Sequence, residues 1–467
     1  MLDSAPRSAP SGDTGPAGPV EERPPAPGAP GGSGLDVGGG TSVGTLPIEQ
    51  PAQADLLETD ATLWAVVLAG GIGSRFWPLS SPQRPKQVLA LVNERPLIAD
   101  TVARLAPLIP AERVLIVTSH DIADTLHAAV PEVPTKNLLV EPRPLGTAAA
   151  VALAAEEISR RAGPDTVFVT LHADLAVALP DEFRRALRTA SSLAATQDVL
   201  LTLGAHPTRP DTGFGYCVVG DPIDGERGLA QGGTCRVARF VEKPVEFLAQ
   251  TLIGEGALWN TGICVWKASV LQDEMERVTT ELRSGLDALR RGQLDRFASL
   301  IQSISMERGL LERSDRVVVM PCDFGWDDVG TWASLRRARE LDDTGNGAVG
   351  TAHFVDSTSN IVHTENGPVV LYGCDGMLVV ALRGITFVTP LDRAVELNTL
   401  LASLPEWMRH DPAGVGRAEP MIPTDEEPPH GNGNGHGNGH GNGSGNGSGN
   451  GHGTTDPTDP DDDIFPV

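Results

Sequence analysis

Between Leu63 and about Leu341, short β-rich runs alternate with amphipathic segments, and few architectures accommodate that alternation. Trp64–Ala69, Arg113–Thr118, Asn137–Val140, Thr166–Leu171 and Val199–Gly204 read as strands. Leu97–Leu108, Asp121–Ala129, Thr147–Arg161 and Asp181–Ala195 carry apolar residues at helical spacing. Strands separated by helices pair side by side in the same direction, with the helices covering them. The expectation is an α/β fold: a mostly parallel, Rossmann-like sheet with helices on both faces. In such sheets ligands sit beyond the C-terminal ends of the strands.

After Gly213 the runs become more β-like, a helical stretch is predicted from Ala268 to about Glu307, and Arg316–Met320 reads as a strand. From about Asn346 to Asn398 the texture shifts to short β runs at Asn360–Thr364, Val369–Leu371, Met377–Leu382 and Thr386–Thr389, closed by a helix around Leu391–Leu404. No regular six-residue period of the β-helix kind is visible there. The expected organisation is a catalytic domain over 61–345 and a small β domain over 346–410. Residues 1–60 and 411–467 are rich in Pro, Gly, Asn and Ser. Such segments bury too little apolar surface to offset their ordering entropy, so both are expected to be disordered. His430, His436, His440 and His452 could hold a metal weakly, but a solvated tail is the favoured reading.

Charge excludes some functions. The formal net charge is −25, but residues 1–60 carry −7 of it and residues 411–467 carry −9. The middle is mildly acidic and offers no basic footprint for nucleic acid. No apolar run approaches the roughly 18–20 residues of a membrane span, and Met1–Pro6 does not read as a secretory signal. Five dispersed cysteines without a Cys-x-x-Cys pair argue against structural zinc or a disulfide framework. A soluble, cytoplasmic protein is expected, without nucleic-acid or membrane partners.

The strand Trp64–Ala69 runs into Gly70-Gly71-Ile72-Gly73-Ser74-Arg75-Phe76-Trp77-Pro78-Leu79. Glycines there let the backbone approach a ligand closely. Free amides followed by Arg75 and Lys86 suit phosphate, although a plain turn with solvated cations fits the glycines equally well. Glu141-Pro142-Arg143-Pro144-Leu145-Gly146-Thr147 ends a strand and opens a helix, so its N-terminal amides suit a base, a hydroxyl or a phosphate oxygen; an ordinary cap fits too. Asp174 closes the strand Thr166–Leu171, and Asp328 lies in Gly325-Trp326-Asp327-Asp328-Val329-Gly330. Strand-end carboxylates are candidate Mg²⁺ ligands if the fold brings them together. Gly215 permits close contact with a ring-shaped ligand. Glu242 can accept from vicinal hydroxyls while Lys243 neutralises a phosphate, and Asn260 can donate to and accept from a sugar hydroxyl.

In this order, LAGGIGSRFWPLSSPQRPKQ, EPRPLGTAAAVALA, FVEKP, WNTGICVW and DFGWDDVGTW resemble the sugar-nucleotide pyrophosphorylases, over roughly residues 62–410. The Arg-Phe-Trp-Pro-Leu-Ser and Pro-Lys-Gln portions resemble the mannose-1-phosphate guanylyltransferase branch more than the glucose/dTTP or N-acetylglucosamine/UTP branches. The resemblance implies a nucleotidyl-transferase fold and transfer of GMP from GTP to mannose 1-phosphate with Mg²⁺. It places the nucleotide along Leu68, Gly70, Gly71, Gly73, Ser74, Glu141, Gly146 and Thr147. Arg75 and Lys86 would be the catalytic cations on the phosphates. Asp174 and Asp328 would hold the metal, and Gly215, Glu242, Lys243 and Asn260 the sugar phosphate.

Two departures stand out. The family usually writes Pro-x-Asp-His at the first metal position, whereas this chain has His172-Ala173-Asp174-Leu175 and lacks the following histidine. Longer members continue into an isomerase domain where this chain continues into low complexity, so isomerase activity is not expected. The β domain could either pair two copies in a homodimer or cover the site. A non-catalytic sugar-nucleotide sensor is the rival from another class; both acids and Lys243 are retained, which weighs against it.

Overall fold

In the computed structural model, residues 60, 62–71, 74–82, 84–223 and 233–410 are described. Gly73, the segments 1–59 and 411–467, and the four tail histidines lie outside them. Eleven strands precede residue 345: β1 Trp64–Ala69, β2 Val114–Ser119, β3 Leu138–Glu141, β4 Val167–His172, β5 Leu175–Val177, β6 Leu200–Ala205, β7 Gly215–Pro222, β8 Cys235–Glu242, β9 Leu258–Lys267, β10 Val317–Pro321 and β11 Trp326–Asp328. Nine form one twisted sheet in the order β3-β2-β1-β4-β9-β6-β10-β8-β7. Strands β8 and β9 run against the other seven. The predicted strands are all present, displaced by about a residue.

Alternation along the strands divides the core into two layers. Val66, Leu115, Phe168 and Trp266 pack under the helices Thr147–Ala162 and Ala268–Val278. Val67, Ile116, Val169 and Leu171 face the other way, toward the helices Leu97–Leu105 and Pro180–Thr196. Each such fully buried side chain contributes about 1.5–3 kcal/mol of transfer free energy. Helices therefore cover both faces, as the pattern predicts.

The helical stretch predicted over Ala268–Glu307 is a correction. It is broken into Ala268–Val278, Thr280–Arg283, Leu286–Arg290 and Leu294–Leu300, followed by extended chain to Ser305. Gly292 takes a φ of +70° just after the third piece, a conformation that ends a helix. The Thr279 hydroxyl donates to the carbonyl of Gly309 (2.9 Å), tying the first break to the turn beyond the extended segment. Propensity alone carries the apolar spacing through these breaks, which is why they are missed.

Strands β12 Gly347–Val349, β13 Ala352–Val355, β14 Ile361–Thr364, β15 Val369–Tyr372, β16 Met377–Leu382 and β17 Ile385–Pro390 build the C-terminal β region. β12, β14 and β16 stack in parallel, as do β13 and β15, and β17 returns antiparallel on β16. Gly347 lies opposite Ile361, but Ile361 lies opposite Leu378, so successive coils differ in length and leave no fixed period. The buried Asn346 and Asn360 stack at the turns: the Asn360 amide donates to Asn346 Oδ1 (2.9 Å) and to the Cys374 carbonyl (2.8 Å). The core of this region is continuous with Phe76, Trp77, Leu79 and Trp332. Buried Arg339 donates to the carbonyls of Leu91 (2.6 Å) and Val362 (2.9 Å) across the join. Among the described residues no helix is long and apolar enough to cross a membrane.

Candidate active site

The glycine stretch leaves the C-terminal end of β1, which lies between β2 and β4. Thr118 Oγ1 donates to the Ala69 carbonyl (2.9 Å), and the Ala173 amide donates to that of Leu68 (3.0 Å). The end of β1 is thus gripped from both sides. Gly70 and Gly71 are exposed, and Gln87 Nε2 donates to the Gly71 carbonyl (2.7 Å). Ser74–Phe76 forms a short turn. The Arg75 side chain is exposed and makes no ion pair among the described residues. Beneath it, the Phe76 ring meets Trp332 edge to face (5.3 Å), and Lys86 Nζ lies 5.4 Å from the centre of that same ring.

Lys86 is the first departure from expectation. Rather than a free cation, it is a buried ammonium 2.7 Å from Asp174 Oδ2. Asp174 directly precedes β5, and β5 pairs antiparallel with β11 so that Asp328 stands opposite Leu175. The two acids, far apart in sequence, therefore end up at one end of the same small ladder. Burial pushes the Asp174 carboxyl up, but the Lys86 and His172 charges and its hydrogen bonds hold it below the usual carboxylate range. Burial also pushes Asp328 up, and the neighbouring Asp174 charge adds to this, so Asp328 stays above that range despite Lys86. Two close carboxylates with opposed shifts share one excess of negative charge. That excess suits a divalent cation, and Mg²⁺ typically takes one or two carboxylates, completing its shell with water and phosphate oxygens. Among the described residues no group of three or more His, Cys, Asp or Glu converges, so the donor set fits such an open Mg²⁺ site better than an all-protein cage.

A cleft of about 830 Å³ opens over this ladder. Gly146, Thr147, Asp174, Gly215, Glu242, Lys243, Asn260 and Asp328 all line it. Leu68, Gly70, Gly71, Arg75, Lys86 and Glu141 do not line it: Leu68 and Glu141 lie at the ends of β1 and β3, Gly70, Gly71 and Arg75 follow β1, and Lys86 opens the short turn Lys86–Val88. Of Ser74 the backbone alone is described.

Glu141, buried at the end of β3, has one carboxylate oxygen without a hydrogen-bond partner. Burial pushes its carboxyl up to about 7, against the pull of the Leu145 amide. A side chain at Gly70 would sit 3.9 Å from its other oxygen. The helix N-terminus beyond it is less open than the sequence predicts. The Ala148 amide donates to the Ile304 carbonyl (3.2 Å), and Thr147 Oγ1 accepts from the Met306 amide (2.8 Å). The extended segment 303–305 occupies what was expected to be free donor space. Gly146, at φ +87°, is required there because a Cβ would stand 2.5 Å from that carbonyl.

On the far side, Gly215 of β7 lies opposite Glu242 of β8. A Cβ at Gly215 would come within 2.7 Å of Glu242 Oε2, so glycine lets the carboxylate lie across the strand. That oxygen has no partner. Burial and the nearby Glu307 charge push Glu242 up to about 7. Lys243 takes a φ of +47° and brings its ammonium to 3.9 Å from Glu242 Oε1. Asn260 differs from expectation. Its oxygen accepts from Thr202 Oγ1 (2.7 Å) and the Gly262 amide (3.3 Å), leaving the NH₂ group as the part it can offer.

Several lining residues were not singled out in the sequence. Phe214 and Trp326 line the cleft; Phe214 meets both Trp326 and Trp259 edge to face (5.1 Å), Trp259 and Trp326 are tilted at 6.2 Å, and the Arg209 guanidinium lies 4.9 Å over Trp259. His172, Ser303, Ser305, Glu307 and Arg308 also face the cleft. A histidine two residues before the first acid was a legible signal. The segment 303–308 had none once it was read as helix.

Residues 64–345 match the Nucleotidyl transferase family. The chain belongs to that family. It is an enzyme of the nucleotidyltransferase class, related to the sugar-nucleotide pyrophosphorylases. It is 31% identical over 351 residues to the mannose-1-phosphate guanylyltransferase of Sinorhizobium fredii, a match covering 72% of this chain and 67% of that one. It is 30% identical over 346 residues to mannose-1-phosphate guanylyltransferase 2 of Escherichia coli O157:H7, covering 71% of each. Among solved structures it is similar to one described as mannose-1-phosphate geranyltransferase from Thermus thermophilus, with a TM-score of 0.66, 31% identity, and coverage of 73% of this chain and 98% of that one.

Proposed function

We propose that the chain transfers GMP from GTP to mannose 1-phosphate, giving GDP-mannose and pyrophosphate, in the cytoplasm. One observation carries this reading: a single cleft places an acid pair, Asp174 and Asp328, facing a carboxylate, ammonium and amide at Glu242, Lys243 and Asn260. The relatives are named for the same sugar phosphate.

A phosphate oxygen of mannose 1-phosphate attacks the α-phosphorus of GTP. The bond from that phosphorus to the α–β bridging oxygen breaks, and pyrophosphate leaves with the electron pair. The second pKa of a phosphate monoester is about 6, so the nucleophile is already a dianion at neutral pH. No general base is needed; alignment of two anions and stabilisation of charge are. Arg75 takes up charge on the triphosphate, with Lys86 beside it. Lys243 lowers the repulsion met by the incoming sugar phosphate. Asp174 and Asp328 would hold Mg²⁺, which when bound neutralises phosphate oxygens. Glu242 and the Asn260 amide orient sugar hydroxyls. Glu141 reads the base: guanine presents N1–H and N2–H side by side, and an ionised carboxylate accepts from both.

The test is a panel of nucleoside triphosphates against several sugar 1-phosphates, read by released pyrophosphate. GTP with mannose 1-phosphate should exceed every other pair. A higher kcat/KM for another pair replaces the substrates, and no release with any pair removes the reading.

A further inference from the structure

Beside the β5–β11 ladder lies a second cavity, of about 380 Å³, within the usual range for small-molecule sites. Successive residues of a strand face opposite ways, and β11 follows this: Trp326 and Asp328 line the cleft, whereas Asp327 lines the second cavity. Four guanidinium groups border it, from Arg95, Arg104, Arg184 and Arg337, against two carboxylates, Asp100 and Asp327. Both carboxylates are already engaged. Asp327 is held by Arg337 (2.6 and 3.0 Å), and Asp100 accepts from Asn93 (2.6 Å) with Arg95 at 3.5 Å. Arg184 is itself paired with Asp181, so the walls carry an excess of one positive charge around a space of ligand size.

Arg104 is largely buried, unlike exposed Arg95. Its Nη1 donates to the Leu175 carbonyl (2.7 Å), and burial pulls its guanidinium down to about 10 against the opposing effect of Asp100. Asp100 offsets the cost of burying this cation only in part, and an anion bound beside it offsets more. Planar guanidinium forks match the oxygens of a phosphate.

We propose that this cavity is a second binding site, separate from the substrate cleft, for a small dianion of the phosphate-monoester class. Its occupant regulates the enzyme through the ladder it touches. Arg104 grips the carbonyl of Leu175, next to Asp174, and Arg337 grips Asp327, next to Asp328. An anion drawing on either guanidinium alters how firmly the two acids are held. The regulatory clause rests on the reading of Asp174 and Asp328 given above; the binding clause does not.

Inorganic phosphate is the probe, titrated at constant ionic strength while the Tm is followed. The full-length protein should show a saturable rise in Tm. Arg95→Ala/Arg184→Ala should weaken it at least tenfold, Arg95→Lys/Arg184→Lys should restore part of it, and Lys243→Ala, in the cleft, should leave it unchanged. Should the double variant not fold, Arg95→Ala alone, at an exposed side chain, carries the comparison. A titration identical in wild type and the alanine variant overturns the site, and so does a rise lost in Lys243→Ala instead. For regulation, phosphate should shift the half-saturating Mg²⁺ concentration for pyrophosphate release at least twofold in wild type and not in the double variant. An equal shift in both overturns that clause. Absence of turnover with any substrate would count against the proposed reaction, while the phosphate titration would still decide the cavity.

Discussion

Lys86 Nζ and Asp174 Oδ2 lie 2.7 Å apart, on a lysine side chain only 8% exposed. This contact joins the loop that follows the glycine stretch to the acid that precedes β5. It also makes the two cleft acids unequal, since Lys86 and His172 keep Asp174 ionised while Asp328 is driven toward the protonated form.

Asp174→Ala and Asp328→Ala are each expected to abolish Mg²⁺-dependent pyrophosphate release, a loss above the roughly 10²–10³-fold typical of one electrostatic contact. Turnover unchanged in both variants would remove the metal assignment. Lys86→Met should lower kcat by about 10². It should also lower the Tm, because removing one partner of a buried ion pair typically costs about 3–5 kcal/mol.

Glu141→Gln should reduce kcat/KM for GTP by about 10–150-fold, the range that about 1.5–3 kcal/mol of charged hydrogen bonding represents. The loss for other triphosphates should be smaller, so the measurement is the ratio of the two. An equal loss for all of them would place Glu141 away from the base.

The carboxyls of Glu141 and Glu242 are raised from 4.5 to about 7 in the folded protein. The folded state therefore binds protons that the unfolded state has released. The associated stability is fully present below about pH 4.5 and is lost as the pH rises through about 7, by about 3 kcal/mol per carboxyl. Glu242→Gln removes one such contribution. Its stability relative to wild type should increase between pH 5 and pH 8 in denaturant titrations. A constant difference across that range would show that Glu242 is not raised.

Gly146 and Gly163 bound the same helix, with φ of +87° and +104°. Only at Gly146 would a Cβ meet backbone; nothing lies within 4 Å of one at Gly163. Gly163→Ala should cost about 1–3 kcal/mol of strain and leave kinetics intact. Gly146→Ala should lose stability and also raise KM, because it pushes the Ile304 segment into the cleft. Identical kinetics in the two variants would contradict this.

Much of this architecture could be read from periodicity. The five early strands and four early helices follow from apolar spacing, and the glycine stretch from its place after a strand. Family motifs supplied the acid pair, but its closeness depends on β5 meeting β11, a pairing of two three-residue strands that no window of sequence reveals. Local patterns also do not report partners. Asn260 reads as a two-way amide until Thr202 takes its oxygen, and Lys86 reads as a free cation until Asp174 takes it. The coil spacing of the β region escaped detection because buried Asn346 and Asn360, rather than equal repeats, keep its turns in step.

The aromatic floor under the glycine stretch has a consequence for the order of events during synthesis. Trp77 Nε1 donates to the Met408 carbonyl (3.2 Å), Trp332 Nε1 donates to the Trp77 carbonyl (3.4 Å), and Arg84 is paired with Glu365 (2.9 Å). The ribosome makes strand β1 among the first elements of the described chain, yet the surfaces that brace its loop are among the last to emerge. A nascent chain halted before the β region would have its sheet but an unbraced glycine loop. The bracing of this loop is therefore a property that the chain gains only after its β region has been made.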